Sequence, residues 1–229
     1  MPPNQSAYRR LHSTETALTA VFSDIINELD RGNLVLLSML DLSAAFDCVD
    51  HDILFSRLDM SFGIRLVDHQ WLTSYLTGRT QSVRHNGVTS PIETMRYGVP
   101  QGSVLGPLLF LLYTADIQHI TTRHGFRSHY YADDSQLHIS CRLDKTQQRV
   151  IRERTAGCIV DINLWMRSNR LRLNPSKTEF LWCATARGIQ YVNPEPIHNG
   201  DVDIVSSASI RSLGIMMDGD FSMTTHVKK

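Results

Sequence analysis

The sequence predicts a mixed α+β fold, one sheet with helices packed on one face, and three observations support it. Apolar residues recur at helical spacing from Thr14 to Leu29, through Leu18, Val21, Phe22, Ile25, Ile26 and Leu29. The run Leu34 to Leu40 is short and apolar apart from Ser38, which suits a central strand buried on both faces. The segments that follow read as helices, a hairpin, a helix, a second hairpin, a helix and further strands.

Each element has its own signal. Gly32-Asn33 ends the first helix, and the buried strand runs straight into Asp41. Leu54 to Leu58 and Val67 to Leu76 read as helices, the second stopped by Gly78. Gln81 to His85 and Val88 to Met95 flank Asn86-Gly87, the favoured two-residue hairpin turn, because both turn positions need positive φ. Gly98 to Gly102 is a loop. Leu105 to Ile117 is a largely apolar helix, with Pro107 tolerable near its first turn. Ser128 to Cys141 reads as two strands around Ala132-Asp133-Asp134, and Thr146 to Met166 as an amphipathic helix. Glu179 to Cys183 and Ile210 to Met217 are strand candidates. No internal repeat or low-complexity tract is present.

Composition limits the possible classes. The chain has 229 residues, of which 42% are hydrophobic and 20% charged, as in a globular protein able to bury a sizeable core. Its 23 basic and 23 acidic side chains cancel, which argues against a simple polyanion-coating protein. The cancellation hides an asymmetry. Residues 1–141 hold 10 Lys/Arg against 14 Asp/Glu, residues 142–187 hold 10 against 4, and residues 188–229 hold 3 against 5. An acidic body beside a basic segment is a polarised surface, although a solvated Arg-rich helix explains 142–168 equally well. Cys48, Cys141, Cys158 and Cys183 have no short paired spacing, so neither a zinc knuckle nor a disulfide framework is expected. The chain reads as reduced and intracellular, in cytoplasm or nucleus. No apolar run approaches the roughly 20 residues of a membrane span, so no membrane partner is expected. Met1-Pro2-Pro3-Asn4-Gln5 lacks the parts of a signal peptide.

Three carboxylates sit in informative places. Asp41 ends the buried strand, and Asp133 and Asp134 lie at the turn of a strand pair. If that hairpin pairs beside Leu34–Leu40, all three converge at one edge of the sheet. Three close anions need either proton uptake or a divalent cation. Carboxylate ligands suit Mg²⁺, and two such ions about 3.5–4 Å apart suit in-line phosphoryl transfer. Taken alone, an Asp-Asp turn is an ordinary turn.

The wording around these residues is more specific. Tyr131-Ala132-Asp133-Asp134 between strands resembles the catalytic hairpin of reverse transcriptases, and so does a strand ending in Asp41-Leu42-Ser43-Ala44-Ala45-Phe46-Asp47. Gly98-Val99-Pro100-Gln101-Gly102-Ser103 resembles the Pro-Gln-Gly loop of that family. Leu173-Asn174-Pro175-Ser176-Lys177-Thr178-Glu179 and Ser212-Leu213-Gly214 match two later segments in the family's order. Gln5 to Arg9, Ser13 to Leu18 and Trp165 to Asn169 resemble the polymerase domain of non-LTR (LINE-type) retrotransposons. The resemblance covers essentially the whole chain.

The resemblance implies a polymerase palm, a ferredoxin-like antiparallel sheet with helices on one face, plus partial fingers. It divides the chain into a partial fingers element at 1–33 and a palm at 34–200 with a fingers insertion at about 60–100. A primer-grip-like hairpin and the start of a truncated thumb would fill 201–229. It implies RNA-directed DNA polymerisation, with dNTP, an RNA template and a DNA primer as partners. Asp41, Asp133 and Asp134 would bind two Mg²⁺ ions, with Mn²⁺ as a substitute, and the Leu42 carbonyl would add a ligand. Ser43, Ala44 and Ala45 would lie near the triphosphate. Phe46 would pack under the incoming sugar and exclude a 2′-hydroxyl; its plain alternative is core packing. Gln101 and Gly102 would contact nucleotide and template. Lys177 would neutralise or protonate the leaving pyrophosphate, or is an ordinary surface lysine. Arg167, Arg170 and Arg172 would touch primer–template phosphates, or form a solvated helix end. Leu213 and Gly214 would hold the primer end; read without the family, they belong to a strand with a close backbone approach. His51, between Asp50 and Asp52, reads as a helix start.

Earlier fingers segments, an endonuclease domain and a thumb are expected in a longer parent chain. The competing expectation is a non-catalytic remnant that only binds nucleic acid or a partner. A nucleotide cyclase is disfavoured, because the Pro-Gln-Gly loop and the Leu-Gly hairpin have polymerase roles.

Overall fold

The computed structural model describes residues 3–199 and 202–228; the expected boundary at 200/201 lies outside them. In chain order the elements are helix α1 (Thr14–Asp30), strand β1 (Leu34–Leu40), helices α2 (His51–Phe62) and α3 (Leu66–Leu76), and four two-residue strands. These short strands are β2 (Thr80–Gln81), β3 (Arg84–His85), β4 (Val88–Thr89) and β5 (Glu93–Thr94). Helices α4 (Leu105–Thr114) and α5 (Ile117–Arg123) lead to strands β6 (Arg127–Tyr131) and β7 (Asp134–Cys141), then helix α6 (Lys145–Ser168) and strand β8 (Glu179–Cys183). Strands β9 (Ile197–Asn199), β10 (Val202–Ile204), β11 (Ser209–Ser212) and β12 (Ile215–Asp218) precede a last turn, α7 (Thr224–Val227). The fold is mixed α+β with an antiparallel sheet. Ala44–Ala115 with Arg167–Leu171 form one compact unit, and the remaining described residues form the other.

The larger unit is built on a four-stranded sheet in the order β6-β7-β1-β8, every neighbouring pair antiparallel. All seven residues of β1 are buried, so its unbroken apolar run is that of a central strand covered on both faces. On one face Val35, Leu37 and Met39 pack with Val21, Ile25 and Leu29 of α1, with Leu181 and Cys183 of β8, and with Ile210 and Met217. Helical spacing in α1 meets the period of two in β1 along one seam. Ser13 caps α1, its Oγ accepting from the Thr16 N–H while Thr16 Oγ1 accepts from the Ser13 N–H.

In the other unit Asp50 caps α2 through Oδ1, which accepts from the Ile53 N–H. This is the helix start expected around His51, whose Nε2 donates to the Gly98 carbonyl at 2.8 Å. Buried Tyr113 donates to the Asn169 carbonyl at 2.6 Å, and Arg57 to the Asn169 side chain at 2.9 Å. Asn86 and Gly87 turn the β3–β4 hairpin with φ of 47° and 80°, the two positive values expected there.

Two expectations are corrected. The helix expected from Leu105 to Ile117 ends at Thr114, because the His119 N–H bonds to Asp116 and starts a separate short helix. Ile210 to Met217 is a hairpin and not one strand: Leu213 and Gly214 take φ of 46° and 90° at its turn. A Cβ on Gly214 would meet nothing, so its backbone angle and not a close approach favours glycine there. The β9–β10 hairpin is an element not expected above, although its sequence contains the hairpin-favouring pair Asn199-Gly200.

Candidate active site

The strand register brings the carboxylates together. Leu40, the last residue of β1, pairs with Ser135, and Tyr131 pairs with Asp134 to close the β6–β7 hairpin. Asp41 therefore follows β1 at the edge where Asp133 and Asp134 turn. Asp41 is held by the chain beyond α6: its carbonyl accepts from the Asn174 N–H at 2.9 Å, the Ser43 N–H donates to the Arg172 carbonyl at 2.9 Å, and Leu42 bridges Leu173.

Asn174 also caps a short turn, Pro175–Lys177, that delivers Lys177 to the site. Lys177 Nζ lies 3.3 Å from Asp41 Oδ2. The contact is an ion pair by distance without hydrogen-bond geometry, so Asp41 Oδ2 is a buried oxygen lacking a hydrogen bond. Asp134 binds its proton more tightly than an ordinary carboxylate. Burial is the main cause, the charges of Asp133 and Asp41 add to it, and Lys177 opposes it. The orphaned Asp41 oxygen and the crowded carboxylates are a donor set that fits a divalent cation.

The turn is held by a residue that sequence reasoning did not assign to the site. Gln5 is 4% exposed, and residues 4–6 run alongside β6 by a parallel bridge to Tyr130. Its Oε1 accepts from the Ala132 N–H at 3.1 Å and its Nε2 donates to the Ala132 carbonyl at 3.4 Å. Ala132 has φ of 57°, a conformation that costs a non-glycine residue about 1–3 kcal/mol and persists only where the surroundings enforce it. No local pattern reports this contact, because Gln5 and Ala132 are 127 residues apart. Gln5→Ala is expected to destabilise the protein by about 1–3 kcal/mol in urea unfolding, since the buried Ala7 N–H and the half-buried Ala132 backbone groups lose their partner.

The other candidates are placed as follows. The Leu213-Gly214 turn belongs to the sheet unit, and Ser212 beside it accepts from Gln136 of β7 at 2.7 Å. Ala44, Ala45, Phe46, Gln101 and Gly102 belong to the other unit. There Ala44 has φ of 47°, and its carbonyl accepts from the Asp47 and Cys48 N–H groups. Half-buried Phe46 packs on Phe110 with ring centroids 4.6 Å apart. Exposed Gln101 donates to Asp47 Oδ1 at 3.1 Å, and Gly102 has φ of 76°. Arg170 lines a cleft of about 450 Å³ with Asp47, Cys48, Asp50 and Tyr97. Arg167 lies in this same unit and Arg172 in the sheet unit; the side chains of Arg167, Arg170 and Arg172 are exposed. Among the described residues no helix is long and apolar enough to cross a membrane.

An antiparallel sheet that ends in clustered carboxylates beside a lysine is the arrangement of a divalent-cation site. The sequence matches the family described as reverse transcriptase (RNA-dependent DNA polymerase) over residues 1–217, and the chain belongs to that family. It is 30% identical, over its full length, to a probable RNA-directed DNA polymerase from transposon BS of Drosophila melanogaster. It is 28% identical over 99% of its length to the corresponding polymerase from transposon X-element of the same fly. The chain spans about a quarter of each of those relatives: 25% and 24%. These transposon relatives bear out the resemblance to non-LTR elements. In fold it is similar to a telomerase from Candida tropicalis, with a TM-score of 0.63, 13% identity, and coverage of 96% of this chain and 40% of that one. A telomerase from Candida albicans gives 0.60, 16%, 95% and 34%. Reverse transcriptases typically use divalent metal ions.

Proposed function

We propose that the chain is the polymerase core of a non-LTR retrotransposon, transferring a nucleotide from dNTP to the 3′-hydroxyl of a DNA primer on an RNA template. The observation that carries this reading is the convergence of Asp41, Asp133 and Asp134 with Lys177, one Asp41 oxygen being buried without a hydrogen bond. Asp41, the Leu42 carbonyl, Asp133 and Asp134 would hold two Mg²⁺ ions, for which Mn²⁺ would substitute. Bound there, the ions would supply charge stabilisation to the attacking and leaving oxygens.

The protein groups then have separate tasks. The Lys177 ammonium neutralises or protonates the departing pyrophosphate. Ser43, Ala44 and Ala45 lie near the triphosphate; the Ser43 N–H is taken by the Arg172 carbonyl, so its hydroxyl and the Ala44 and Ala45 backbone N–H groups are the donors offered there. Gln101 and Gly102 meet nucleotide and template, Leu213 and Gly214 the primer end, and Arg167, Arg170 and Arg172 the backbone phosphates. We assign the sheet to a ferredoxin-like palm spanning 34–200, with a fingers insertion at about 60–100. Residues 1–33 are a partial fingers element whose helix packs on that sheet, and the β11–β12 hairpin is the primer grip ahead of the thumb.

Primer extension on an RNA template, by this chain or a longer polypeptide containing it, tests the reading. Incorporation that requires Mg²⁺ supports it; salt-dependent nucleic-acid binding without incorporation favours a non-catalytic remnant. Phe46→Val is expected to weaken discrimination against ribonucleotides by about tenfold to a hundredfold, read from competing dNTP and rNTP incorporation. Unchanged discrimination would leave Phe46 as a packing residue on Phe110.

A further inference from the structure

We propose a second metal site, for Zn²⁺, formed by Asp24, His129 and His138 on the α1 face of the sheet. Strand pairing sets up the two imidazoles. His138 of β7 stands opposite Arg127 of β6, and His129 stands opposite Gln136, so the two histidines are diagonal neighbours on one face. Leu37 also pairs with His138, which makes this the face that α1 covers through Val21 and Ile25. Asp24, within the same stretch of α1, brings a carboxylate to both rings.

The three side chains already point at one place. His129 Nε2 is 3.0 Å from Asp24 Oδ2, and His138 Nε2 is 3.6 Å from that same oxygen. A donor atom from each residue lies within 4.8 Å of the other two. Zinc takes nitrogen and oxygen ligands at about 2.0–2.2 Å, so neighbouring ligands of a tetrahedral site lie roughly 3.3–3.5 Å apart. Little movement is therefore needed to close a site around an ion.

His138 provides an independent argument. Its side chain is 2% exposed, yet neither ring nitrogen has a hydrogen-bond partner. A buried imidazole without partners is an unmet ligand, and a metal would take one of its nitrogens. Burial holds this ring in its neutral, coordinating form at neutral pH. The other Asp24 oxygen accepts from Arg127 Nη1 at 3.1 Å, the kind of outer contact that fixes a ligating carboxylate. Two imidazoles and one carboxylate suit zinc and not Mg²⁺, so the site differs in chemistry from the Asp41 cluster. Occupied, it would tie α1 to the β6–β7 hairpin that carries Asp133 and Asp134.

The test is a Zn²⁺ titration of the chelator-stripped chain in excess Mg²⁺, with Co²⁺ as a spectroscopic substitute. One equivalent of Zn²⁺ is expected to bind and raise the Tm. Affinity is expected to drop at least tenfold in Asp24→Asn and in His129→Gln, and to stay within twofold of wild type in Asp133→Asn. His138→Ala removes a core side chain, so the two milder variants decide the matter once circular dichroism shows them folded. Co²⁺ should give visible bands without a thiolate charge-transfer absorption. Less than one equivalent, unchanged affinity in both milder variants, loss of binding in Asp133→Asn, or a thiolate band would each overturn the proposal.

Discussion

Asp133→Asn is expected to yield a folded protein that no longer extends a primer. The substitution keeps size and shape and removes one charge from the Asp41, Asp133 and Asp134 cluster. If that charge holds the metal, turnover falls by about a hundredfold to a thousandfold, the scale seen when a group stabilising transition-state charge is lost. Stability should move the other way in the absence of metal. The Asp133 charge is one reason Asp134 holds its proton more tightly than an ordinary carboxylate, so removing it relieves a repulsion. A rise or no change in Tm in chelator, together with lost primer extension in Mg²⁺, separates a metal-binding carboxylate from a structural one. Wild-type extension by the variant would sink the assignment.

The residues of this cluster were legible because each sits where local pattern is strong. An unbroken apolar run ends at Asp41, and a turn between two strand-like stretches contains Asp133 and Asp134. The sheet register then makes the two ends meet, which a strand pairing of Leu40 with Ser135 accomplishes directly. What the pattern could not supply is long-range polar contact. Gln5 holds Ala132 across 127 residues, and although Gln5 to Arg9 carries part of the family resemblance, nothing in that stretch points to Ala132 as its partner. The same holds for Arg152, which belongs to the basic segment by count yet is buried against Glu195. A helix break without Gly or Pro was also hidden: the largely apolar stretch from Leu105 reaches Ile117, although the helix stops at Thr114. Backbone angle explains one misreading, since Leu213-Gly214 carries the turn of a hairpin through positive φ and not a close approach within a strand. Apolar period therefore located the core elements, while turns set by φ and partners set by tertiary contact needed the folded chain.

The metal-free protein is expected to lose stability steeply as pH falls from about 6.5 to 4, and His138 supplies the reason. Its ring is pushed down to about 4 from the usual 6.5, chiefly by burial. The surrounding charges divide: Asp24 and Glu28 of α1 favour the charged ring, whereas His129 and Arg127 of β6 oppose it. Across this window the unfolded chain binds a proton at His138 that the folded chain does not. Acid therefore favours unfolding, and stability is fully present only above the unfolded pKa. A shift of this size corresponds to a loss of about 3 kcal/mol at the acid end. His138→Leu separates this contribution from every other titration, because it keeps an apolar volume in the strand and removes the ionisable ring. Both ring nitrogens lack hydrogen-bond partners, so leucine should cost little at pH 7. Urea unfolding in chelator at pH 7 and pH 4.5 should show the wild type losing more stability than the variant. Equal losses would mean that His138 takes up its proton in the folded state as readily as in the unfolded one, against its burial beside Leu37 in the middle of the sheet.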